Sequence, residues 1–338
     1  MLTLSDFDFE LPEDRIAQVP LEQRDASKLL CVDVPTAAIS DRVFRDLPNL
    51  LEPGDLLVFN DTRVTAKRLI GRKPTGGVVE ALLLGRLAQA NTYVALMRPG
   101  KRLREGSEVL FEDVLPCLVE SDLGDGRKRI RFLVSDSEEH IERVGAVPLP
   151  PYIHERLENS ERYQTVYSHT PGSSAAPTAG LHFTQELIAT LESKGIQTAR
   201  VTLDVGIDTF RPVQAERISD HKMHGERCAI STEAQATING CKGRIIAVGT
   251  TACRTLESFA TGRRKVDQGE RVTEIFITPG YPFQVVECLL TNFHMPRTSM
   301  LFMVSALTGV ELWRSSYEHA LQHNYRFLSF GDSMLIRT

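Results

Sequence analysis

The sequence predicts an α/β protein in which one discontinuous α/β domain with a mixed sheet is interrupted by an inserted all-β domain, and three observations carry that prediction. The chain has 338 residues, enough for about two domains at roughly 150 residues each. Between about Thr65 and Pro148 it breaks into short strand-like runs, VVEALLLGRL, TYVALM, SEVLF, VLPCLVE and KRIRFLV, punctuated by Gly, Pro, Asn and Asp, the spacing of a small barrel or sandwich. On either side, apolar runs alternate with helix-like segments, as in GRIIAVGTT before ACRTLESFA and TQELIATLESKG before IQTARVTLDVG, which is α/β texture. The expected boundaries are 1–64 with 149–338 for the α/β domain and 65–148 for the insertion.

Taken in chain order, the acidic start MLTLSDFDFELPED has no basic segment leading into an apolar stretch, and no apolar run approaches 18 residues. A cytoplasmic protein is the expectation. Thr184 can cap a helix beginning at Gln185, with Glu186 in its first turn and Gly195 as the left-handed residue after its end. PTAGLH then lies in the loop entering that helix. Gly249, Thr250 and Thr251 follow a buried-looking strand at 245–248 and open a helix whose free N–H groups would face a ligand, at the strand end where open α/β sheets bind ligands. In TNFHMPR, Pro296 bars a strand centre, so Asn292, His294 and Arg297 belong to a strand end and its loop.

Composition narrows the function. With 42% hydrophobic and 25% charged residues, disorder is excluded for the bulk of the chain. The 39 Lys and Arg against 44 Asp and Glu give a net charge of −5, which excludes holding nucleic acid by global positive charge. Any anionic partner must be met by a local patch: RPGKRLR (98–104), RKRIR (127–131) and Arg263, Arg264 and Lys265 are either solvated faces or, for a protein that holds tRNA, the natural phosphate contacts. In a strand, Arg127, Arg129 and Arg131 share one face. Six cysteines without a C-x-x-C pair read as packed thiols. HKMHGE places His221, His224 and Glu226 close together, but no third ligand at metal-binding spacing follows, and no metal is assigned. AVGTTACRTLES is neither a P-loop nor a G-x-G-x-x-G turn; its amides suit a single carboxylate or an RNA phosphate.

Seven segments are over-specified for packing alone: FNDTRV (59–64), APTAGLHFT (176–184), VTLDVGIDTFRPV (201–213), HKMHGE (221–226), AVGTTACRTLES (247–258), LLTNFHMPRTSM (289–300) and FGDSML (330–335). In this order, and with LPEDRIAQVPLEQRDASKLL, VPLPPYI, RYQTVYS and YRFLSFGD, they resemble the S-adenosylmethionine:tRNA ribosyltransferase-isomerase family of queuosine biosynthesis over essentially the whole chain. The resemblance implies that the insertion is a six-stranded barrel. It also implies transfer and isomerisation of the ribosyl group of S-adenosylmethionine onto the 7-aminomethyl group of a 7-deazaguanine in a tRNA anticodon, giving an epoxycyclopentane and releasing adenine and methionine. S-adenosylmethionine is then a co-substrate, tRNA the partner, no metal is needed, and the protein is a monomer.

That chemistry needs a base near the sulfonium, a donor for departing adenine and fixed donors for developing charge. The expected catalytic residues are Asp204, His182, His224, Glu226, Arg211 and His294, with Asp208 a further candidate base. The expected S-adenosylmethionine contacts are Asp61 and Arg63, as a fork to a ribose hydroxyl or carboxylate; Ala179 and Gly180, as small residues admitting a flat ligand; Thr209 and Phe210; Gly249, Thr250 and Thr251; and Arg254, Asn292 and Arg297. Phe210 or Phe293 could stack on a base. The chain departs from the family pattern at Asp204, where His is usual, at Asp208, where Gly is usual, and at Gly225, where Ser is common. Two other readings stand beside this one: an RNA methyltransferase using the same co-substrate, and a non-catalytic tRNA-binding module.

Overall fold

A computed structural model of the chain describes residues 2–206, 217–221 and 223–338. Contacts between residues divide it into two compact units, one of Met1–Arg63, Pro150–Thr170 and Ala176–Thr338, the other of Val64–Leu149 and Pro171–Ala175. In chain order the strands begin with β1 (Lys28–Asp33), β2 (Ala38–Val43), β3 (Leu56–Asn60) and β4 (Thr62–Val64). The next six are β5 (Lys67–Arg72), β6 (Val78–Arg86), β7 (Thr92–Arg98), β8 (Glu108–Phe111), β9 (Leu115–Gly124) and β10 (Arg127–Phe132), followed by the helix α1 (Ser137–Val144). After β11 (Thr170–Ser173) come α2 (Gln185–Ser193), β12 (Gln197–Leu203), β13 (Glu226–Ile230), α3 (Thr232–Gly240), β14 (Ile245–Val248) and α4 (Thr250–Ser258). The chain closes through β15 (Ala260–Gly262), β16 (Lys265–Val266), β17 (Gly269–Thr273), β18 (Cys288–Asn292), α5 (Ser299–Thr308), α6 (Val310–Gln322) and β19 (Ser333–Arg337).

The first unit is built on a nine-stranded mixed sheet in the order β17-β13-β12-β3-β14-β18-β19-β1-β2. Its centre, β12, β3, β14 and β18, is parallel. Every residue of β3, β14 and β18 is buried, which is why LLVFN, IIAV and CLLTN read as unbroken runs rather than alternating ones: a central parallel strand is covered on both faces. Phe59, Ile246, Val248 and Leu290 pack with Phe44, Tyr167 and Phe183 in the core of this unit. The Thr184 side chain accepts from Leu187 N–H at the start of α2, and Gly195 follows its end at φ +81°, both as the cap pattern predicts.

The second unit is the closed six-stranded barrel β10-β7-β6-β5-β8-β9, antiparallel throughout. Its interior is filled by Val79, Ala95, Met97, Leu115, Val119 and Phe132, among others, the inward half of each alternating strand. Gly71 is required where β5 meets β8: a Cβ there would lie 2.6 Å from the Leu110 carbonyl oxygen. All six cysteines are free and buried, as expected. Among the described residues no helix is long and apolar enough to cross a membrane.

Candidate active site

The parallel strands all end on one side of the sheet, and a cleft of about 710 Å³, its open mouth included, lies at those ends. Gly249, Thr250 and Thr251 form one wall. Gly249 turns the chain from β14 into α4 at φ +89°, a conformation that favours glycine. It brings no side chain to cap the helix. The first bond within the helix runs from Cys253 N–H to the Gly249 carbonyl, so the amides of Thr250, Thr251 and Ala252 open the helix without an intrahelical acceptor, at the positive end of its dipole. The Thr251 hydroxyl is buried and has no partner among the described residues.

The facing wall is the end of β18 with the loop after it, and Ala179 and Thr178 close the side. Asn292 is fixed here by a chain of side chains. Its Oδ1 accepts from the Thr178 hydroxyl at 3.0 Å and its Nδ2 donates to His182 Nε2 at 3.1 Å. His182 therefore carries its proton on Nδ1 and donates it to Ser27 Oγ at 2.8 Å, a tautomer set by the network. Burial, reinforced by the Arg326 and Arg24 cations, pushes the His182 pKa down to about 3. Its ring stacks on Phe44 with centroids 4.9 Å apart. His182 is thus neutral with both nitrogens occupied, and it orients Asn292. His294 lines the cleft; its Nε2 meets Thr291 Oγ1 at 2.9 Å, and burial lowers its pKa to about 3 as well.

Other expected site residues lie apart from this cleft. Asp204 accepts from the Thr62 hydroxyl at 3.3 Å and pairs with Arg227 at 3.1 Å, while Arg227 grips Glu270 with its other nitrogens; it is the next residue, Val205, that lines the cleft. Asp61 and Arg63 form no fork: Asp61 accepts from the Thr202 and Thr170 hydroxyls, and Arg63 pairs with Glu161 and bonds Ser168. Glu226 is buried in an ion pair with Arg254 and also accepts from Gly206 N–H. Burial brings the Arg254 pKa down to about 10, and its Nε and Nη2 have no partner among the described residues. His224 is exposed. Arg297 turns outward at φ +58° and pairs with Asp8. Thr209, Phe210 and Arg211, with Asp208, lie outside the described residues.

Two of the expected small and aromatic residues are also closely packed. At Gly180 a Cβ would fall 1.8 Å from the Tyr167 hydroxyl. Phe293 belongs to the cleft lining, and its ring is fully buried against Tyr317, Tyr325 and Phe327. Ser27, 155 residues from His182, was missed because a serine in the run ASKLL carries no signal of that contact.

The basic runs separate in the same way. Arg129 and Arg131 share a face as the strand reading required, yet both pair with Glu120, Arg127 pairs with Asp125, and Lys128 is buried against Asp122. Arg264 pairs with Glu287, and Lys265 donates to the Asn239 carbonyl. Arg98, Lys101, Arg102 and Arg104 are exposed, and none is among the ion pairs of the described residues.

A family model described as queuosine biosynthesis protein matches residues 4–336. A protein of Symbiobacterium thermophilum named S-adenosylmethionine:tRNA ribosyltransferase-isomerase is 50% identical over 99% of this chain and 100% of its own length. One of the same name from Desulfitobacterium hafniense is 47% identical over 99% and 100%. The crystal structure of an S-adenosylmethionine tRNA ribosyltransferase from Thermotoga maritima is similar with a TM-score of 0.56 and 35% identity, covering 98% of this chain and 99% of that one.

Proposed function

The chain belongs to the queuosine biosynthesis protein family, and we propose that the cleft at the ends of β14 and β18 is where its reaction takes place. The protein is an S-adenosylmethionine:tRNA ribosyltransferase-isomerase: it moves the ribosyl group of S-adenosylmethionine onto the 7-aminomethyl group of 7-deazaguanine in the tRNA anticodon, isomerised to an epoxycyclopentane. S-adenosylmethionine contributes a sulfonium that acidifies the adjacent C5′ protons, so that loss of one proton leads to departure of adenine and attack by the amine ends with departure of methionine.

The observation that carries the assignment of the site is the unpartnered start of α4. The amides of Thr250–Ala252 and the free Thr251 hydroxyl suit the methionine carboxylate, a single anion at a helix N-terminus. Asn292 and Thr178, locked by His182 and Ser27, present a fixed polar edge across from it, the kind of preorganised group that orients a ligand without moving. Ala179 packs beside Gly249, where a Cβ would lie 3.5 Å from the Ala179 Cβ. His182 serves by position rather than as acid or base. His294, neutral in the wall, is the histidine that faces the ligand. Asp204 and Glu226, each held by an arginine, support the strand ends, and neither is a free base. The exposed Arg98, Lys101, Arg102 and Arg104 hold tRNA phosphates.

Incubation with S-adenosylmethionine and tRNA carrying 7-aminomethyl-7-deazaguanine, followed by mass spectrometry of free bases and digested nucleosides, tests the reading. Adenine, methionine and an epoxycyclopentane-bearing nucleoside are expected in equal amounts. A methylated nucleoside without adenine release would identify a methyltransferase instead.

A further inference from the structure

The last turn of α6 and the edge strand β2 gather three metal-ligating side chains away from the reaction cleft. His319 and His323 are one helical turn apart, so both project from one face, and their rings stack with centroids 3.9 Å apart and planes 18° from parallel. Asp41 of β2 approaches from the sheet: its two oxygens lie 3.1 and 3.0 Å from His319 Nε2. One ligand atom from each of the three residues lies within 4.8 Å of the other two.

We propose that Asp41, His319 and His323 bind one divalent cation of the zinc class, which ties the edge of the sheet to the end of α6. The site is built beyond its three ligands. His323 Nδ1 bonds the His319 carbonyl at 2.8 Å; a carbonyl only accepts, so the proton is on Nδ1 and the Nε2 lone pair is free to ligate. The Tyr325 hydroxyl donates to Asp41 at 2.6 Å and fixes the carboxylate, the support that ligating groups receive in metal sites. Metal–ligand bonds of about 2.0–2.1 Å place tetrahedral ligands about 3.3 Å apart, close to the Asp41–His319 separation. The three ligand atoms, within 4.8 Å of one another without the ion, draw together to that separation on binding, and water supplies the fourth ligand. Two imidazoles and one carboxylate select zinc, nickel or copper over magnesium or calcium. The negative end of the α6 dipole favours a cation here. The Lys28 ammonium is bonded to the carbonyls of His323 and Asn324.

The test is calorimetric titration of zinc chloride into chelator-treated, untagged full-length protein, with thermal unfolding followed in parallel. One zinc per chain and a rise in Tm are expected. His323→Ala removes an exposed ligand and weakens binding at least about tenfold, while His224→Ala leaves it unchanged. Asp41→Asn weakens binding to a similar degree, with circular dichroism as the check that it folds. Cobalt(II) in place of zinc gives the intense visible absorption of a tetrahedral site, which His323→Ala abolishes. Absence of stoichiometric zinc binding, or equal affinity in His323→Ala, would overturn the proposal. The site stands independently of the ribosyl transfer, and His323→Ala retains wild-type turnover.

Discussion

Gly180 shows that a single glycine can have a packing reason beside the one its motif suggests. A glycine in PTAGLH suggests a backbone opened to a flat ligand, yet the space its missing side chain leaves is filled by the Tyr167 hydroxyl. Gly180→Ala is accordingly expected to cost about 1–3 kcal/mol in denaturant unfolding, the range for overpacking a core. Removing the hydroxyl with Tyr167→Phe should recover only part of that loss, since Thr165 also lies within 2.8 Å; a Gly180→Ala protein of wild-type stability would return the residue to the ligand. The two buried histidines carry a second prediction. His182 and His294 have folded pKa values lowered to about 3 by burial, below the ~6.5 of the unfolded chain. The unfolded state thus binds more protons between those values. Stability is full above about pH 6.5 and is lost as pH falls towards 3, by up to about 1.4 kcal/mol per pH unit for each histidine. Urea unfolding between pH 7 and 5 should show that slope, and His182→Gln should remove one histidine's share of it. An unchanged slope would mean that the ring is not buried neutral.

At the scale of elements, charge runs of equal density have unequal meaning. In β10 the alternation places Arg129 and Arg131 on one face, but β9 sets Glu120 between them, and the positive charge is spent within the barrel. In the turn after β7 no such pairing occurs among the described residues, and Arg98, Lys101, Arg102 and Arg104 remain exposed. The double variant Arg102→Ala/Arg104→Ala should weaken tRNA binding about tenfold and lower the slope of log K against log salt by about 1.5, with S-adenosylmethionine affinity unchanged. Arg129→Ala/Arg131→Ala should change neither by as much, and the opposite ranking would relocate the tRNA surface. The barrel strands named from their runs, β6 to β10, are all present. The sixth, β5, carries only Leu69 and Gly71 as inward residues among KRLIGR, so its sequence reads as polar linker. The helix starts at Gln185 and Thr250 were legible because capping and glycine chemistry act over three or four residues.

At the scale of the whole molecule, the α/β unit and the barrel each have a hydrophobic cluster of their own. Differential scanning calorimetry should therefore resolve two transitions or a van't Hoff enthalpy below the calorimetric one. Saturating S-adenosylmethionine should raise only the transition of the unit that contains the cleft, by the linkage of ligand to the folded state. A single two-state transition moved as a whole by the ligand would show one cooperative body.

What the sequence determined by itself is whatever short-range chemistry and pattern encode: the α/β texture, the all-β insertion, the unbroken apolar strands at the sheet centre, the strand-to-helix turn at Gly249, and the family whose ordered motifs span the chain. Only the tertiary structure decided which polar residues of those motifs reach the cleft. Asp61, Asp204 and Glu226 stand in motifs as suggestive as that of Asn292, but Thr202, Arg227 and Arg254 satisfy them elsewhere. His182 became an orienting group because Ser27 and Asn292 arrive from opposite ends of the chain, and Asp41 meets His319 across 278 residues. The reason is physical: burial and pairing of polar groups depend on neighbours distant in sequence, and those neighbours set protonation and availability, whereas periodicity and capping are settled within a few residues of the chain.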